Sequence, residues 1–393
     1  MIPYGKHYIE EDDIQAVVDI LRNGHLTQGP TVEAFEKAVA EYVGAKYAVA
    51  VSSGTAALHL AALTAGVCPG TSIVTSPITF IASANAGIYC GGNVLFADID
   101  SETINMSSEA LREVLLNNSN VKAIIPVHFA GLPCDMEAIK DLADNVGAAV
   151  IEDAAHGLGA TYPNGKRVGC CENSLMTIFS FHPVKAIAAG EGGMIMTNDE
   201  ETYRKLIRLR SHGINKLDDK FDLPAQAFEN GELNSWYYEM QELGFHYRIT
   251  DIQCSLGLSQ LKKLDSFISR RRKLVENYKN NFVITEKCRP AQSHGFEQSA
   301  HHLFVLRINF DLLKITRNKF MQNLKESGIG SQVHYIPVPM HPFYSQFGYN
   351  LDDYKNALNY YSEALSIPLF FSLEDNQQEY VIEVINSLLN SKI

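Results

Sequence analysis

The sequence predicts an α/β protein: a mostly parallel seven-stranded sheet between helices, followed by a small α+β C-terminal unit. Between residues 45 and 200, seven short β-rich apolar runs alternate with helical patterns, as expected for helices covering both faces of a parallel sheet. After Thr250 the pattern changes. Ile252, Leu256, Leu258, Leu261, Leu264 and Ile268 recur at helical spacing, so a long helix should lead out of the first domain.

The seven runs are 47–51, 72–75, 94–97, 122–127, 148–151, 175–179 and 194–197. The last two are joined by a stretch too short for a crossover helix, which leaves antiparallel pairing or separate positions in the sheet. Beyond about residue 275, strand-like runs fall at 303–308 and 331–334, with helices near 316–327, 352–365 and 375–390. The polar stretch 214–235 reads as a long loop, a type of segment that often serves function. The domains are therefore placed at 1–255, with an N-terminal segment reaching a substrate cleft, and at 256–393, a linking helix and the small domain.

Bulk composition removes several classes of function. With 393 residues, 46% hydrophobic and 20% charged, the chain can bury a large core and is not disordered. No run approaches the roughly 18 apolar residues of a membrane span, and Met1-Ile2-Pro3-Tyr4-Gly5-Lys6 lacks a signal-peptide core, so a cytoplasmic protein is expected. Seven cysteines without CxxC spacing argue against a disulfide framework and a zinc site. His301 and His302 are adjacent with no ligand-spaced partner, so no metal is expected. A net charge of −12 without a basic stripe speaks against nucleic acid and requires local groups to hold any anionic ligand.

Three stretches carry chemistry. Ser52-Ser53-Gly54-Thr55 joins the first apolar run to an Ala/Leu-rich helix, whose free first-turn N–H groups suit a phosphate; the plain alternative is an N-cap. Glu152-Asp153 ends another run, where ligands bind in open α/β sheets, and a carboxylate there needs a cationic partner such as a protonated pyridine nitrogen. The third is Ser180 to Gly193, with Lys185 just past an aromatic run and before Gly190, Gly192 and Gly193. A lysine screened from water becomes a usable nucleophile, whereas a lone lysine in a loop is ordinarily solvated. Their order along one chain tips the balance: phosphate-type turn, strand-end Asp, then a lysine about thirty residues on.

Together these stretches resemble the fold type I aminotransferases that use pyridoxal 5′-phosphate. Leu26-Thr27-Gln28-Gly29-Pro30, Ser76-Pro77-Ile78-Thr79-Phe80, Glu152-Asp153-Ala154-Ala155-His156, the 179–193 stretch and Arg248-Ile249-Thr250-Asp251-Ile252-Gln253 narrow this to the DegT/DnrJ/EryC1/StrS sugar aminotransferases. The resemblance implies that Lys185 is the Schiff-base lysine and general acid/base, and that Asp153 pairs with the cofactor's ring nitrogen. It implies further that Gly54, Thr55 and Ser180 hold the phosphate, Phe80 stacks on the ring and His156 reaches the phenolic oxygen. Such enzymes are homodimers with active sites at the subunit interface. Where the family usually has an Asn reaching the partner's phosphate, this chain has His246, which can still donate a hydrogen bond.

Tyr4, His25, Leu26, Thr27, Gln332, His334 and Tyr335 stand at substrate-contacting positions by the same resemblance. The segments Ile2-Pro3-Tyr4-Gly5-Lys6, Phe96-Ala97-Asp98-Ile99-Asp100 and Gln332-Val333-His334-Tyr335 look like those of the transaminases of pseudaminic acid synthesis. That likeness implies L-glutamate as donor and a UDP-linked 2-acetamido-2,6-dideoxy-4-ketohexose as acceptor. Sugar 3-dehydratases of the same fold carry His at the lysine position, and Lys185 stands against that alternative; the other is a non-enzymatic protein that binds the cofactor for regulation.

Overall fold

A computed structural model describes residues 1–216, 220–282 and 284–390; residues 217–219, inside the loop read at 214–235, lie outside the described residues. The central sheet comprises β1 (Tyr47–Val51), β2 (Ser72–Thr75), β3 (Asn93–Phe96), β4 (Val121–Ile125), β5 (Ala149–Asp153), β6 (Met176–Ser180) and β7 (Gly193–Thr197), in the order β1-β7-β6-β5-β4-β2-β3. Each strand ends within two residues of its expected position. The neighbours from β6 to β3 are parallel, while β7 runs antiparallel to both β6 and β1. The short connection between β6 and β7 thus makes an antiparallel pair.

Alternation along the strands feeds two separate cores. Val49, Ile151, Ile178 and Ile195 point into one, and Ala50, Val150, Phe179 and Met194 into the other. All eight are buried, and each large aliphatic or aromatic side chain so placed contributes on the order of 1.5–3 kcal/mol. Both faces of the sheet are therefore dry, which leaves the strand ends as the place for polar chemistry.

The exit helix expected after Thr250 is two helices, Asp251–Leu261 and Leu264–Asn281. Between them Lys263 places its ammonium 2.8 Å from the buried Asp13 and 3.0 Å from Glu10. This long-range ion cluster, which local periodicity does not encode, fastens helix Glu11–Asn23 to the break. The domain boundary read at 255/256 falls inside the first of the two helices.

The small domain holds an antiparallel sheet of Cys288–Pro290, Phe304–Ile308 and Ala364–Ile367, backed by helices Arg317–Glu326, Lys355–Glu363 and Asp375–Asn390. Two expectations are corrected here. The helix read to 365 stops at Glu363, because Ala364 to Ile367 are wholly buried as a strand paired with Phe304–Ile308. The run 331–334 is no strand and makes a single bridge, Gln332 to Ser366. The N-terminal segment docks on this domain through Ile2, whose N–H donates to Gly328 at 2.7 Å, and the Tyr4 carbonyl accepts from Leu369 at 3.0 Å. Among the described residues, no helix is long and apolar enough to cross a membrane.

Candidate active site

At the end of β5 two adjacent carboxylates turn to opposite faces, as strand geometry dictates. Glu152 points into the protein, where it accepts from His128 Nε2 at 2.7 Å, Thr177 at 2.8 Å, Ser174 at 2.5 Å and the Tyr162 hydroxyl. The Cys134 backbone N–H donates to His128 Nδ1 at 3.1 Å, so the imidazole proton sits on Nε2 and goes to Glu152. Burial alone would raise the Glu152 carboxyl, but these donors outweigh it and hold it below its ordinary value. Glu152 is thus a satisfied internal anion. Asp153 faces a cavity of about 420 Å3 on the other side of the strand.

Lys185 lines the same cavity. It is presented by the loop after β6, which is closed by Phe181 N–H to Gly192 O at 2.9 Å and Ala189 N–H to Phe181 O at 2.9 Å. Gly190 makes the return turn at φ +81°, a conformation that favours glycine. Burial pushes the Lys185 amine down to about 8, against the opposing pull of Asp153. A neutral amine is therefore accessible near neutrality. Covalent loading of cofactor-free protein with pyridoxal phosphate should rise about tenfold per pH unit on the acid side and level off above pH ~8 rather than ~10.4. Stopped-flow absorbance across pH 6–10 checks this; a rate still climbing at pH 10 rejects it.

The third wall is the turn from β1 into helix Gly54–Thr64. The Ser53 side chain accepts from Ala56 N–H at 3.1 Å, which leaves the N–H groups of Gly54 and Thr55 without helical acceptors at the cavity. A Cβ on Gly54 would lie 3.0 Å from Ser180 Cβ, so glycine lets the end of β6 close on this turn. The result is an anion cradle with the Ser180 side chain beside it.

From the small-domain side come Tyr4, His334 and Tyr335, with His156 and Phe80 completing the lining. The Tyr335 hydroxyl lies 3.3 Å from His156 Nε2, and the His334 Nδ1 lies 2.8 Å from the Ser366 hydroxyl. Burial, reinforced by the Lys185 charge, holds His156 well below its ordinary value and His334 at about 4, so both imidazoles are neutral. Phe80 stands 58% exposed although it belongs to the cavity wall.

Five expected residues are elsewhere in this chain. His25, Leu26 and Thr27 form an exposed segment bridged to Thr250, and His246 is exposed, bridged to Ser211 with its ring against His212. Gln332 pairs with Ser366, and its side-chain oxygen accepts from Val333 N–H at 2.9 Å. None of these five lines the cavity.

Conversely, His302 lines the cavity and packs its ring, tilted by 34°, against that of His156 with centroids 4.2 Å apart. The sequence offers it only as an unsupported metal ligand beside His301. The strand begins at Phe304, and His301 adopts φ +48°. The buried Arg271 guanidinium then donates to the His301 and His302 carbonyls at 3.3 Å and to that of Leu369 at 3.0 Å. Ser83 was missed as well; its hydroxyl donates to Asp153 Oδ2 at 2.6 Å. The only local signal was its place one turn beyond the Ser76 to Phe80 stretch. Among the described residues no cluster of side chains could hold a metal ion.

An anion cradle, an aromatic face, a carboxylate, a partly neutral amine and an imidazole whose buried Nδ1 lacks a hydrogen-bond partner surround one cavity. This donor set fits a planar heteroaromatic phosphate bearing an aldehyde. The model of the DegT/DnrJ/EryC1/StrS aminotransferase family matches residues 7–386. The chain belongs to that family.

Its enzymes use pyridoxal 5′-phosphate, and this sugar aminotransferase is a transferase of that type. It is 40% identical to the spore coat polysaccharide biosynthesis protein SpsC of Bacillus subtilis, over 99% of this chain and 97% of that one. To a UDP-4-amino-4,6-dideoxy-N-acetyl-β-L-altrosamine transaminase of Campylobacter jejuni it is 35% identical, over 99% and 98%. Among solved structures, Helicobacter pylori PseC, an aminotransferase of pseudaminic acid biosynthesis, superposes with TM-score 0.87 at 29% identity, over 99% of both chains. The fold expectation, a fold type I large domain with a small α+β domain, is borne out.

Proposed function

We propose that this sugar aminotransferase moves the amino group of L-glutamate to C4 of a UDP-linked 2-acetamido-2,6-dideoxy-4-ketohexose, a step of pseudaminic acid synthesis in the cytoplasm. The observation that carries the chemistry is the meeting of Lys185, with its amine lowered to about 8, and Asp153 in one cavity. The choice of sugar is supported by the names of the Campylobacter transaminase and Helicobacter PseC. A second reading, amination of another nucleotide-linked 3- or 4-keto sugar, is favoured by the higher identity to SpsC.

Bound pyridoxal phosphate supplies an aldehyde that takes up the amino group and a ring that withdraws electrons from the adjacent carbon. The chain's own residues do the rest. Gly54 and Thr55 N–H groups and the Ser180 hydroxyl would hold the phosphate, Phe80 would cover the ring face, and His156 would reach the phenolic oxygen. Asp153 would pair with the ring nitrogen and keep that nitrogen protonated. Lys185 would anchor the cofactor covalently, and its free amine would take and hold the proton from the donor's Cα as general base and acid. With the keto sugar the same amine carries the proton the opposite way.

Tyr4, His334 and Tyr335 contact the sugar from the small-domain side. In the homodimer we infer, the exposed His25, Leu26, Thr27 and His246 complete the partner's cavity, with His246 at its phosphate. Gln332 shapes the cleft through its bond to Ser366. The test is to give the purified protein glutamate and a panel of UDP-, GDP- and dTDP-linked 3- and 4-keto sugars, following 2-oxoglutarate and the aminated product. The expected result is product with the UDP-linked 4-keto sugar; no product with any 4-keto sugar overturns the assignment.

A further inference from the structure

Asp153 meets the cavity with both carboxylate oxygens already engaged from the protein side. Oδ1 accepts the Ala155 backbone N–H at 3.1 Å, and Oδ2 accepts the Ser83 hydroxyl at 2.6 Å. Ser83 is completely buried on helix Ala82–Tyr89, and its oxygen lies 2.7 Å from the Thr79 hydroxyl. Proton counting gives this chain of bonds a direction. A carboxylate oxygen has no proton to offer, so the single Ser83 proton goes to Asp153, and the Ser83 lone pairs accept from Thr79. Thr79 itself belongs to the cavity wall. Two hydroxyl dipoles therefore point in series at one carboxylate, inside a region that excludes water.

A serial arrangement of this kind strengthens each bond in it and stabilises negative charge at its end. It also fixes the plane of the carboxylate. Asp153 χ2 is a soft torsion, and Ala155 alone would leave the group free to rock about the Oδ1 contact. With Ser83 on Oδ2, the remaining lone pairs of both oxygens keep one orientation toward the cavity. The Ser83 hydroxyl also approaches the Phe80 carbonyl, but at 3.4 Å, too long to compete with the bond to Asp153.

We propose that Ser83, backed by Thr79, is a positioning residue that holds the Asp153 carboxylate in register with the cofactor's ring nitrogen and so sets how fully that nitrogen stays protonated. The proposal rests on the role assigned to Asp153 above. It makes the amino-group transfer depend on a serine that never touches substrate.

The experiment loads holoenzyme with cofactor carrying 15N in the ring and records the ring-nitrogen resonance, which separates protonated from unprotonated pyridine. Cofactor affinity and the single-turnover rate with glutamate are measured alongside. Asp153→Asn calibrates the unprotonated end. Ser83→Ala should move the resonance toward that end and slow the glutamate half-reaction by roughly tenfold, the size of one lost hydrogen bond to a charged group. Cofactor affinity should change by less than about threefold, because the phosphate cradle is untouched.

Thr79→Val keeps shape and removes only the outer hydroxyl, so it should shift the resonance the same way by less. If Asp153→Asn moves the resonance but Ser83→Ala and Thr79→Val leave it at the wild-type position, the relay is packing alone and the proposal is wrong. Should Ser83→Ala not fold, Thr79→Val decides by itself. An unmoved resonance in Asp153→Asn would instead remove the pairing of Asp153 with the ring, and this proposal with it. No sugar enters the measurement, so an error in the assigned acceptor leaves the readout intact.

Discussion

Lys185→Arg is expected to leave the fold in place and lower turnover by at least about 10^4-fold. The loop that presents residue 185 is closed by backbone bonds from Phe181 and Ala189, and its geometry does not depend on the lysine side chain. Arginine retains a positive charge for Asp153, which separates charge from chemistry. Its guanidinium stays protonated at any working pH, so it offers no free amine and no usable proton acceptor. Borohydride reduction of cofactor-loaded protein, followed by intact mass, should show the cofactor fixed to wild type and absent from the variant. A variant that still carried the mass and turned over within tenfold of wild type would falsify the covalent role.

Asp153→Asn is expected to cost on the order of 10^2 to 10^3 in turnover, comparable to removing a well-placed charge-stabilising group. Ala155 N–H can keep the amide oxygen at the Oδ1 position while the Ser83 hydroxyl turns a lone pair to the amide N–H, so the local structure has a route to persist. The loss is chemical. In the proposed role the carboxylate accepts the ring nitrogen's N–H; the amide would present either a neutral oxygen or its own N–H, and neither would keep that nitrogen charged. Circular dichroism should be unchanged and covalent uptake of cofactor retained, while the steady-state rate collapses. Near-normal turnover would remove Asp153 from the mechanism.

Local sequence carried the strands and the core of the site well. The two-residue period that places Val49 and Ala50 in different cores is written in the chain itself, and Gly54, Asp153, Ser180 and Lys185 all sit at or just beyond strand ends, where a linear reading can find them. The order of the strands is not local information: β1 lies beside β7, about 145 residues away. Ser83 and His302 escaped for the same reason. Each matters through one contact, to Asp153 and to His156, made between residues 70 and 146 positions apart. The strand Ala364–Ile367 was absorbed into the preceding helix, since four buried residues after an amphipathic pattern prolong its period unless the facing strand is known.

The antiparallel return of β7 has a further meaning for protein engineering. It sets Gly193 so close to the turn after β1 that a Cβ there would fall 2.4 Å from the Ser53 carbonyl oxygen. The turn that forms the anion cradle and the loop that carries the lysine are therefore one mechanical part, though some 130 residues separate them in the chain. Chimeras between relatives can exchange the N-terminal segment or the cleft-facing stretch around His334 and Tyr335 and keep this part whole. A single crossover placed between residues 53 and 193 takes the two backbones from different parents and puts that contact at risk.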